Sequence, residues 1–600
     1  MERRTDLEAG PQLPQPKIRM LLGKMKNMKI LLSVLAGVFL VGLACGGQST
    51  PPTSPTATST ATPAVAPAPA APAATALPPT APRPTANPAA AAPKPKGVTT
   101  GTLLRLGDDP PTLDPHLTTD ASSALYIVEI FGGLVTIDRN LDIVPDLAES
   151  WEVSNGGRTY TFHLRKDAKF HNGKQVTAQD FKWSMERIAD PATESPVVDT
   201  YLGDIVGVKD KLNKKAAEVQ GVKVIDDRTL EITIDAPKAY FLAKLTYPNA
   251  FVLDRQNLEG NPNWFRKPNG TGPFQLVEYV PGEVLRLKRN ELYHLGPANL
   301  EEVRFIISGG DAMLMYENDE IHVTGVGLLN LEGILDPANP LNRDVHQASP
   351  SFDVAYVGMN TDKPPFDDPK VRQALNHAID KETLSRTLLQ DLVAPANGIL
   401  PPGFPGYNPG LEGYKYDPEK ARQLLKESKY GNNLRELPRI QLTLPGSFGA
   451  PVSPAMEALL QMWRENLGIE MEILQTEWAI FLQDLHQRRF QMFGGLGWIA
   501  DYPDPENFLD VLFYSKSTNN QTGYVNREVD RLLEKARVEP DQAARFAIYH
   551  DVEKAILADA PWVPLWHGKS GYVLLKPFVK DFYLFPLIIP QLRYVYLTGP

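Results

Sequence analysis

The sequence predicts an α/β fold for the region that follows residue 97. Residues 158–164 alternate polar and apolar side chains, which is the period-two pattern of a half-buried strand. Asp417 and Pro418 predict a helix start, because an aspartate caps free backbone N–H groups and proline suits the first helical position. A later helical pattern ends at Gly468, and residues 469–473 then alternate as a strand. This succession of helices and strands is typical of α/β domains.

Local patterns predict further elements of the folded region. Thr177 is followed three residues later by Asp180, which matches a capping box and predicts a helix that runs to Ile188. Residues 230–234 alternate again and predict a second strand. The helix that begins at Pro418 has an apolar face formed by Ala421, Leu424 and Leu425.

The N-terminal 45 residues predict a secretory leader. A short apolar run, residues 30–44, follows several lysines and falls below the roughly 20 residues that a membrane-spanning helix needs. Cys45, the only cysteine, follows Ala44, and the string resembles a bacterial lipobox, although Gly42 stands where leucine is preferred. We therefore predict cleavage before Cys45 and a lipid anchor on its sulfur. The alternative is a plain secretory peptide that is cut elsewhere.

Composition limits the remaining choices. Residues 46–97 are rich in Pro, Ala and Thr and almost uncharged, which predicts a disordered tether. The rest of the chain is long enough for two or three domains with ample core. A net charge of −10 argues against a nucleic-acid partner, which requires a basic surface. With Cys45 used for the anchor, the mature chain has no internal disulfide.

Several strings, taken together and in order, resemble the family 5 extracellular solute-binding proteins, the oligopeptide- and dipeptide-binding receptors of ABC importers. The resemblance extends from Leu104 to Val579. The strings are DLAESW at 146–151, YTFHLRKDAKF at 160–170, VTAQDF at 176–181, NGTGPF at 269–274, PFDDP at 365–369, WIAD at 498–501 and APWVP at 560–564.

This resemblance implies a type II periplasmic-binding-protein fold, with two lobes, a hinge and a small inserted domain. The first lobe is expected at 98–354 plus 573–600, with the insertion at about 135–255, and the second lobe at 355–572. The hinge crossings are expected near Val354 and Tyr572. Closure of the lobes would follow ligand contacts that form only when both lobes meet.

The resemblance also implies a ligand site. In similar peptide-binding members, the aspartate three residues after the tryptophan receives the α-ammonium of the peptide, and Trp498 and Asp501 stand at those positions. Asp501 also begins a turn-rich string, so a backbone-capping role is the alternative. Residues 356–360 are a candidate extended segment that offers backbone hydrogen bonds to the ligand, or else belong to the hinge. The other candidate ligand-binding residues are Trp478, Asp120, Tyr126, Asn269, Gly270 and Thr271.

One departure from the peptide-binding pattern affects the expected cargo. Similar receptors carry an arginine just before the Gly-Trp pair, whereas this chain has Gly494, Gly495 and Leu496. Arg488 and Arg489 are nearby in sequence, with a solvated role as the alternative. A non-peptide cargo, such as an oligosaccharide or a metal chelate, is therefore a second hypothesis.

We expect a monomeric extracytoplasmic receptor that delivers a peptide or similar small solute to an ABC permease. Its only membrane contact would be the lipid anchor on the outer face of the cell membrane, in the periplasm if the host has an outer membrane. No Gly-x-Ser-x-Gly elbow, His-Glu-x-x-His helix or P-loop is present, and the ten histidines are scattered. We therefore expect no catalytic residue, no metal site and no cofactor.

Overall fold

A computed structural model describes residues 98–599, apart from 100, 432 and 448. The predicted leader, Cys45 and the tether lie outside the described residues. Within the described part of the chain, no helix combines the length and the apolar character needed to cross a membrane.

The largest sheet has seven strands and mixes parallel with antiparallel pairs. Residues 102–106 lie at its centre, paired in parallel with both neighbouring strands. In spatial order its strands are Val345–Ala348, Gly571–Leu575, Val323–Gly325, Thr102–Leu106, Glu302–Ile306, Val284–Arg289 and Phe274–Val280.

A second sheet has six strands. In spatial order they are Val393–Pro395, Trp562–Gly568, Asp353–Met359, Met492–Ile499, Ile440–Pro445 and Met471–Thr476. The chain crosses between the two large sheets at residues 349–352 and again at 569–570. We call residues 101–348 and 571–599 the first lobe and residues 353–568 the second lobe, after the large sheet on which each is built.

Three smaller sheets complete the β structure of the described residues. The four-stranded sheet is antiparallel throughout and belongs to the first lobe. Its strands, in spatial order, are Ala148–Ser154, Thr159–Leu164, Thr229–Thr233 and Val222–Asp226. The others are a pair, Val135–Ile137 with Ile143–Pro145, and a sheet of Val98–Thr99, Tyr596–Thr598 and Val579–Lys580.

Helices cover the sheets of both lobes. The α-helices of the first lobe are Ala121–Ile130, Ala178–Ile188, Val198–Leu202, Val208–Leu212, Phe241–Lys244, Arg255–Leu258, Ala312–Glu317 and Leu328–Leu335. Those of the second lobe are Pro369–His377, Lys381–Thr383, Pro418–Glu427, Pro454–Leu467, Trp478–His486, Glu506–Phe513, Arg527–Val538 and Gln542–Asp559. Short 3-10 turns lie at Asn155–Gly157, Pro191–Thr193, Pro248–Ala250, Trp264–Arg266, Pro340–Asp344, Leu434–Glu436 and Leu592–Tyr594, and a π-helical turn at Leu384–Leu388.

Three helix boundaries that were predicted from capping residues are confirmed. Thr177 and Asp180 form both hydrogen bonds of a capping box at the start of the helix 178–188. Asp417 caps the helix that begins at Pro418. Gly468 ends the helix 454–467 with φ of 68°, a left-handed conformation that glycine adopts at little cost.

The prediction that residues 356–360 offer backbone hydrogen bonds to a ligand is wrong. Most of this segment lies within the strand Asp353–Met359, which pairs on one side with 492–499 and on the other with 562–568. Both edges of the strand are thus occupied by the sheet, which leaves no open edge for a peptide to join.

One cluster of buried apolar side chains contains residues from both lobes. Phe162, Tyr201 and Tyr247 belong to the first lobe, and Tyr502 and Phe508 to the second. Because these residues lie in one continuous cluster, the two lobes are packed against each other at this point rather than separated by solvent. The ligand-site candidates near Asp501 lie beside this junction.

Candidate ligand-binding site

Asp501 lies between the end of the strand 492–499 and the start of the helix 506–513. Its Oδ2 atom accepts a hydrogen bond from the Tyr201 hydroxyl at 2.5 Å and another from Asn507 Nδ2 at 2.9 Å. Its backbone N–H donates to Asn507 Oδ1 at 2.9 Å. The donors to the carboxylate are therefore side chains, one from each lobe, and not the backbone N–H groups of a turn.

The Asp501 carboxylate has no cationic partner among the described residues, since it takes part in none of their ion pairs. Burial raises the pKa of Asp501 to about 6, and the hydrogen bonds from Tyr201 and Asn507 offset only part of that effect. A partly desolvated carboxylate without a counter-charge is destabilised when it is ionised, and the approach of a cation is favoured.

An aromatic wall from the first lobe stands beside this carboxylate. The Tyr201 ring stacks on Tyr247, with centroids 4.4 Å apart and planes 11° apart, and meets Tyr502 of the second lobe edge-on. Burial raises the pKa of the Tyr247 hydroxyl, and the charges of Asp501 and Asp120 raise it further. Tyr247 therefore lies within the electrostatic range of both carboxylates.

Three more of the predicted residues lie at this junction. Trp498 donates its indole N–H to Asn507 Oδ1 at 3.1 Å, so both it and Asp501 are held by the same amide. Asp120 caps the helix 121–130 by accepting from the Ser123 N–H at 2.9 Å.

Trp478 opens the helix 478–486 of the second lobe. Its buried indole N–H has no hydrogen-bond partner of good geometry among the described residues, but it lies near enough to Asp120 to lower the pKa of that carboxyl slightly. Burial is the larger influence and raises the pKa of Asp120. Asp120 and Trp478 thus face each other across the two lobes.

The structure does not bring Tyr126 to this junction. Its hydroxyl donates to the backbone oxygen of Asp108 at 2.8 Å, and its ring packs edge-on against Phe305. It lines a different, small cavity together with Glu129 and Leu592. Tyr126 is 2% exposed, and its polar group is already used within the first lobe.

The loop 269–271 also has a role within the first lobe. Asn269 accepts from the Asn172 N–H at 2.9 Å and donates to Asp254 at 2.7 Å. Gly270 is packed so closely on the helix 121–130 that an added Cβ atom would collide with its C-terminal carbonyl. Thr271 is fully buried, and its hydroxyl has no hydrogen-bond partner in the described part of the chain.

Sequence reasoning missed Tyr201, Tyr247 and Asn507. Asn507 had a weak local signal, since it lies in the first turn of the helix that follows Asp501. The two tyrosines are far away in sequence and belong to the other lobe, so only the tertiary fold brings them to Asp501. Arg488 and Arg489 are exposed, and Arg489 pairs with Asp484 at 2.6 Å.

Two α/β lobes, each built on a large mixed sheet and joined by two chain crossings, match the type II periplasmic-binding-protein fold. The chain belongs to the bacterial extracellular solute-binding proteins, family 5, whose middle-region model matches residues 142–520. Among the described residues, no group of three or more His, Cys, Asp or Glu side chains is arranged to hold a metal ion.

Individual relatives agree with this membership. The periplasmic oligopeptide-binding protein OppA of Escherichia coli is 30% identical over 82% of this chain and 92% of its own length. The heme-binding protein A of Haemophilus influenzae is 32% identical over 76% of this chain and 84% of its own length.

One solved relative is available in two forms. The Escherichia coli murein tripeptide binding protein MppA is 27% identical and matches 84% of this chain and all of its own, with a TM-score of 0.75. Its unliganded open form matches the same share of this chain with a TM-score of 0.59. The fold of this chain is therefore more similar to the first MppA structure than to the open form.

Proposed function

We propose that the protein captures a peptide, or a similar small solute with a free ammonium group, and delivers it to an ABC permease. The observation that carries this proposal is the Asp501 carboxylate, which is half-buried where the lobes meet and has no cation among the described residues. A ligand ammonium would supply the missing counter-charge and form charge-assisted hydrogen bonds, each contributing about 1.5 to 3 kcal/mol. The names of OppA and MppA, which bind oligopeptides and a murein tripeptide, support this cargo class.

In this proposal the site residues have distinct roles. Asp501 is the counter-charge, Tyr201 and Asn507 orient it, and Trp498 and Trp478 contribute apolar walls on the second lobe. Aromatic walls suit peptide side chains of varied shape, because they bury apolar area without requiring one hydrogen-bond pattern. Asn269, Gly270, Thr271 and Tyr126 hold the first lobe together and make no ligand contact.

The crossings at 349–352 and 569–570 are the proposed hinge between the two lobes, which are the two domains that close on the ligand. We further propose that the mature protein begins at a lipidated Cys45 and acts as a monomer on the outer face of the membrane. The segment 46–97 would then place the binding lobes away from the lipid surface and within reach of the permease. Electrospray mass measurement of membrane-extracted protein tests the anchor, because acylation adds a defined mass to Cys45 that is absent from a Cys45→Ser variant.

The cargo is tested by purifying the protein from its native host and identifying co-purified ligand by mass spectrometry. Calorimetry then compares trialanine with N-acetyl-trialanine as probes of identical length. We expect the acetylated probe to bind at least roughly tenfold more weakly, because it has no ammonium for Asp501. Equal affinities, or a co-purified sugar oligomer or metal chelate, would contradict peptide capture through Asp501.

A further inference from the structure

Lys244 is a buried cation that joins the two lobes. Its side chain is 3% exposed, and its Nζ atom contacts Asp204 Oδ2 at 3.1 Å and Glu506 Oε1 at 2.8 Å. It also donates to the backbone oxygen of Thr200 at 2.9 Å. Thr200 and Asp204 belong to the first lobe, whereas Glu506 begins a helix of the second lobe.

The contacts of Lys244 are adjacent in sequence to the two residues that hold Asp501. Tyr201 follows Thr200, and Asn507 follows Glu506. Tyr201 and Asn507 both donate to the same atom, Asp501 Oδ2, at 2.5 and 2.9 Å. One ammonium group therefore fixes, from both lobes at once, the backbone segments that present the two donors.

We propose that Lys244 is a positioning residue for ligand capture, which aligns Tyr201 and Asn507 on Asp501 when the lobes meet. This inference rests on the proposed function, in which Asp501 receives the ammonium of the ligand. Lys244 does not touch the ligand. It acts by fixing the distance between two segments that lie on different lobes.

The residues around Lys244 keep its side chain charged in a buried position. Burial tends to lower the pKa of Lys244, but Asp204, Glu506 and Asp510 outweigh burial and raise it, so the group stays charged. Burial also tends to raise the pKa of Asp204, yet Lys244 and Lys238 hold that pKa at about 2. The Tyr240 ring covers the ammonium at 4.9 Å.

Lys238 provides a matched control. Its side chain is 5% exposed and contacts the same carboxylate, Asp204, at 2.5 Å. Its other ionic partner is Asp235 of the first lobe at 2.8 Å. Lys238→Met and Lys244→Met thus each remove a buried lysine from Asp204, but only the second removes a link between the lobes.

The test measures Asp501 directly in ligand-free protein, by carbon-13 NMR of labelled aspartate carboxyls, with Asp501→Asn used to assign the signal. The groups that face Asp501 are Tyr201, Tyr247, Tyr502 and Asn507. In Lys244→Met we expect the Asp501 titration midpoint to rise by about one pH unit, because the aligned donors stabilise the charged form. Trialanine binding, measured in parallel by calorimetry, should weaken by about tenfold.

Lys238→Met should leave the Asp501 midpoint within about 0.3 pH unit of wild type and the trialanine affinity within about twofold. A folded Lys244→Met protein with an unchanged Asp501 midpoint would overturn the inference, as would equal shifts in the two lysine variants. If Lys244→Met does not fold, Glu506→Gln is used instead. This substitution keeps the shape of the side chain but removes its charge, and it should shift the Asp501 midpoint in the same direction. If wild-type protein binds no free-amine peptide, the proposed cargo fails, while the ligand-free titration still decides the role of Lys244.

Discussion

Replacing Asp501 with asparagine should stabilise the ligand-free protein and weaken ligand binding, two effects of opposite sign from one substitution. Asp501 is half-buried without a cation among the described residues, and its pKa is raised from 3.8 to about 6. Asparagine has nearly the same shape and still accepts from Tyr201 and Asn507, but it carries no charge to desolvate.

The size of the stability effect follows from proton linkage. The native carboxyl binds its proton more tightly than the unfolded one, so its stabilising contribution is complete below about pH 4 and is lost as the pH rises through about 6. The difference between 3.8 and about 6 corresponds to about 3 kcal/mol, because each pH unit is worth about 1.4 kcal/mol. Because Asp501 is partly exposed, solvent screens part of this energy. We therefore expect Asp501→Asn to stabilise the protein by about 2 kcal/mol at pH 8.

Urea unfolding at several pH values between 4 and 8 measures this gain, and calorimetry with trialanine measures binding. Binding should weaken roughly 10- to 100-fold, as expected for a lost charge-assisted contact. The stability difference between variant and wild type should be small near pH 4 and grow with rising pH.

Asp510→Asn is the control for Asp501→Asn. Asp510, in the same lobe, is buried, but it accepts two hydrogen bonds from Arg537, both at 2.7 Å. Its replacement leaves the half-buried guanidinium of Arg537 without its carboxylate and should destabilise the protein by about 2 kcal/mol. If Asp501→Asn destabilises the protein in the same way, or shows no pH-dependent gain, the claim of an uncompensated carboxylate is refuted.

Two further substitutions test the site and the fold. Tyr201→Phe removes one donor to Asp501 and should weaken trialanine binding roughly fivefold in calorimetry. The thermal midpoint should fall by no more than about 2 °C. Unchanged affinity would show that Tyr201 does not belong to the site. Gly270→Ala should destabilise the protein by about 3 kcal/mol in urea unfolding, because the new methyl group collides with the Ile130 carbonyl. Gly310→Ala, where the methyl group meets open space, should change little, and equal effects at both glycines would contradict the packing argument.

The sequence predicted the local elements well because their signals are local. The capping box at Thr177 and the glycine stop at Gly468 depend on residues within one helical turn, and both are confirmed. The sequence predicts an extended segment at residues 356–360, but not that it belongs to a central strand, 353–359, of the six-stranded sheet, because an edge strand and a central strand have similar periodicity.

The site was predicted only where its parts are close in sequence. Asp501 and Trp498 lie in one short string and are bound by the same amide, that of Asn507. Tyr201 and Lys244 reach the site because the four-stranded sheet and its helices pack on the second lobe, and no pattern within a short window encodes that approach. Tyr126 was placed wrongly for the same reason, because only the tertiary fold directs it to the small cavity of the first lobe.

The two crossings at 349–352 and 569–570 are short, and together they have a mechanical consequence. A body tied at one point swivels in any direction, whereas a body tied at two neighbouring points turns mainly about the line that joins them. If these crossings act as the proposed hinge, the motion that opens and closes the lobes is reduced to something close to a single angle. In the proposed receptor, a membrane partner that contacts both lobes at once would sense that angle, and would so distinguish a loaded receptor from an empty one without touching the cargo.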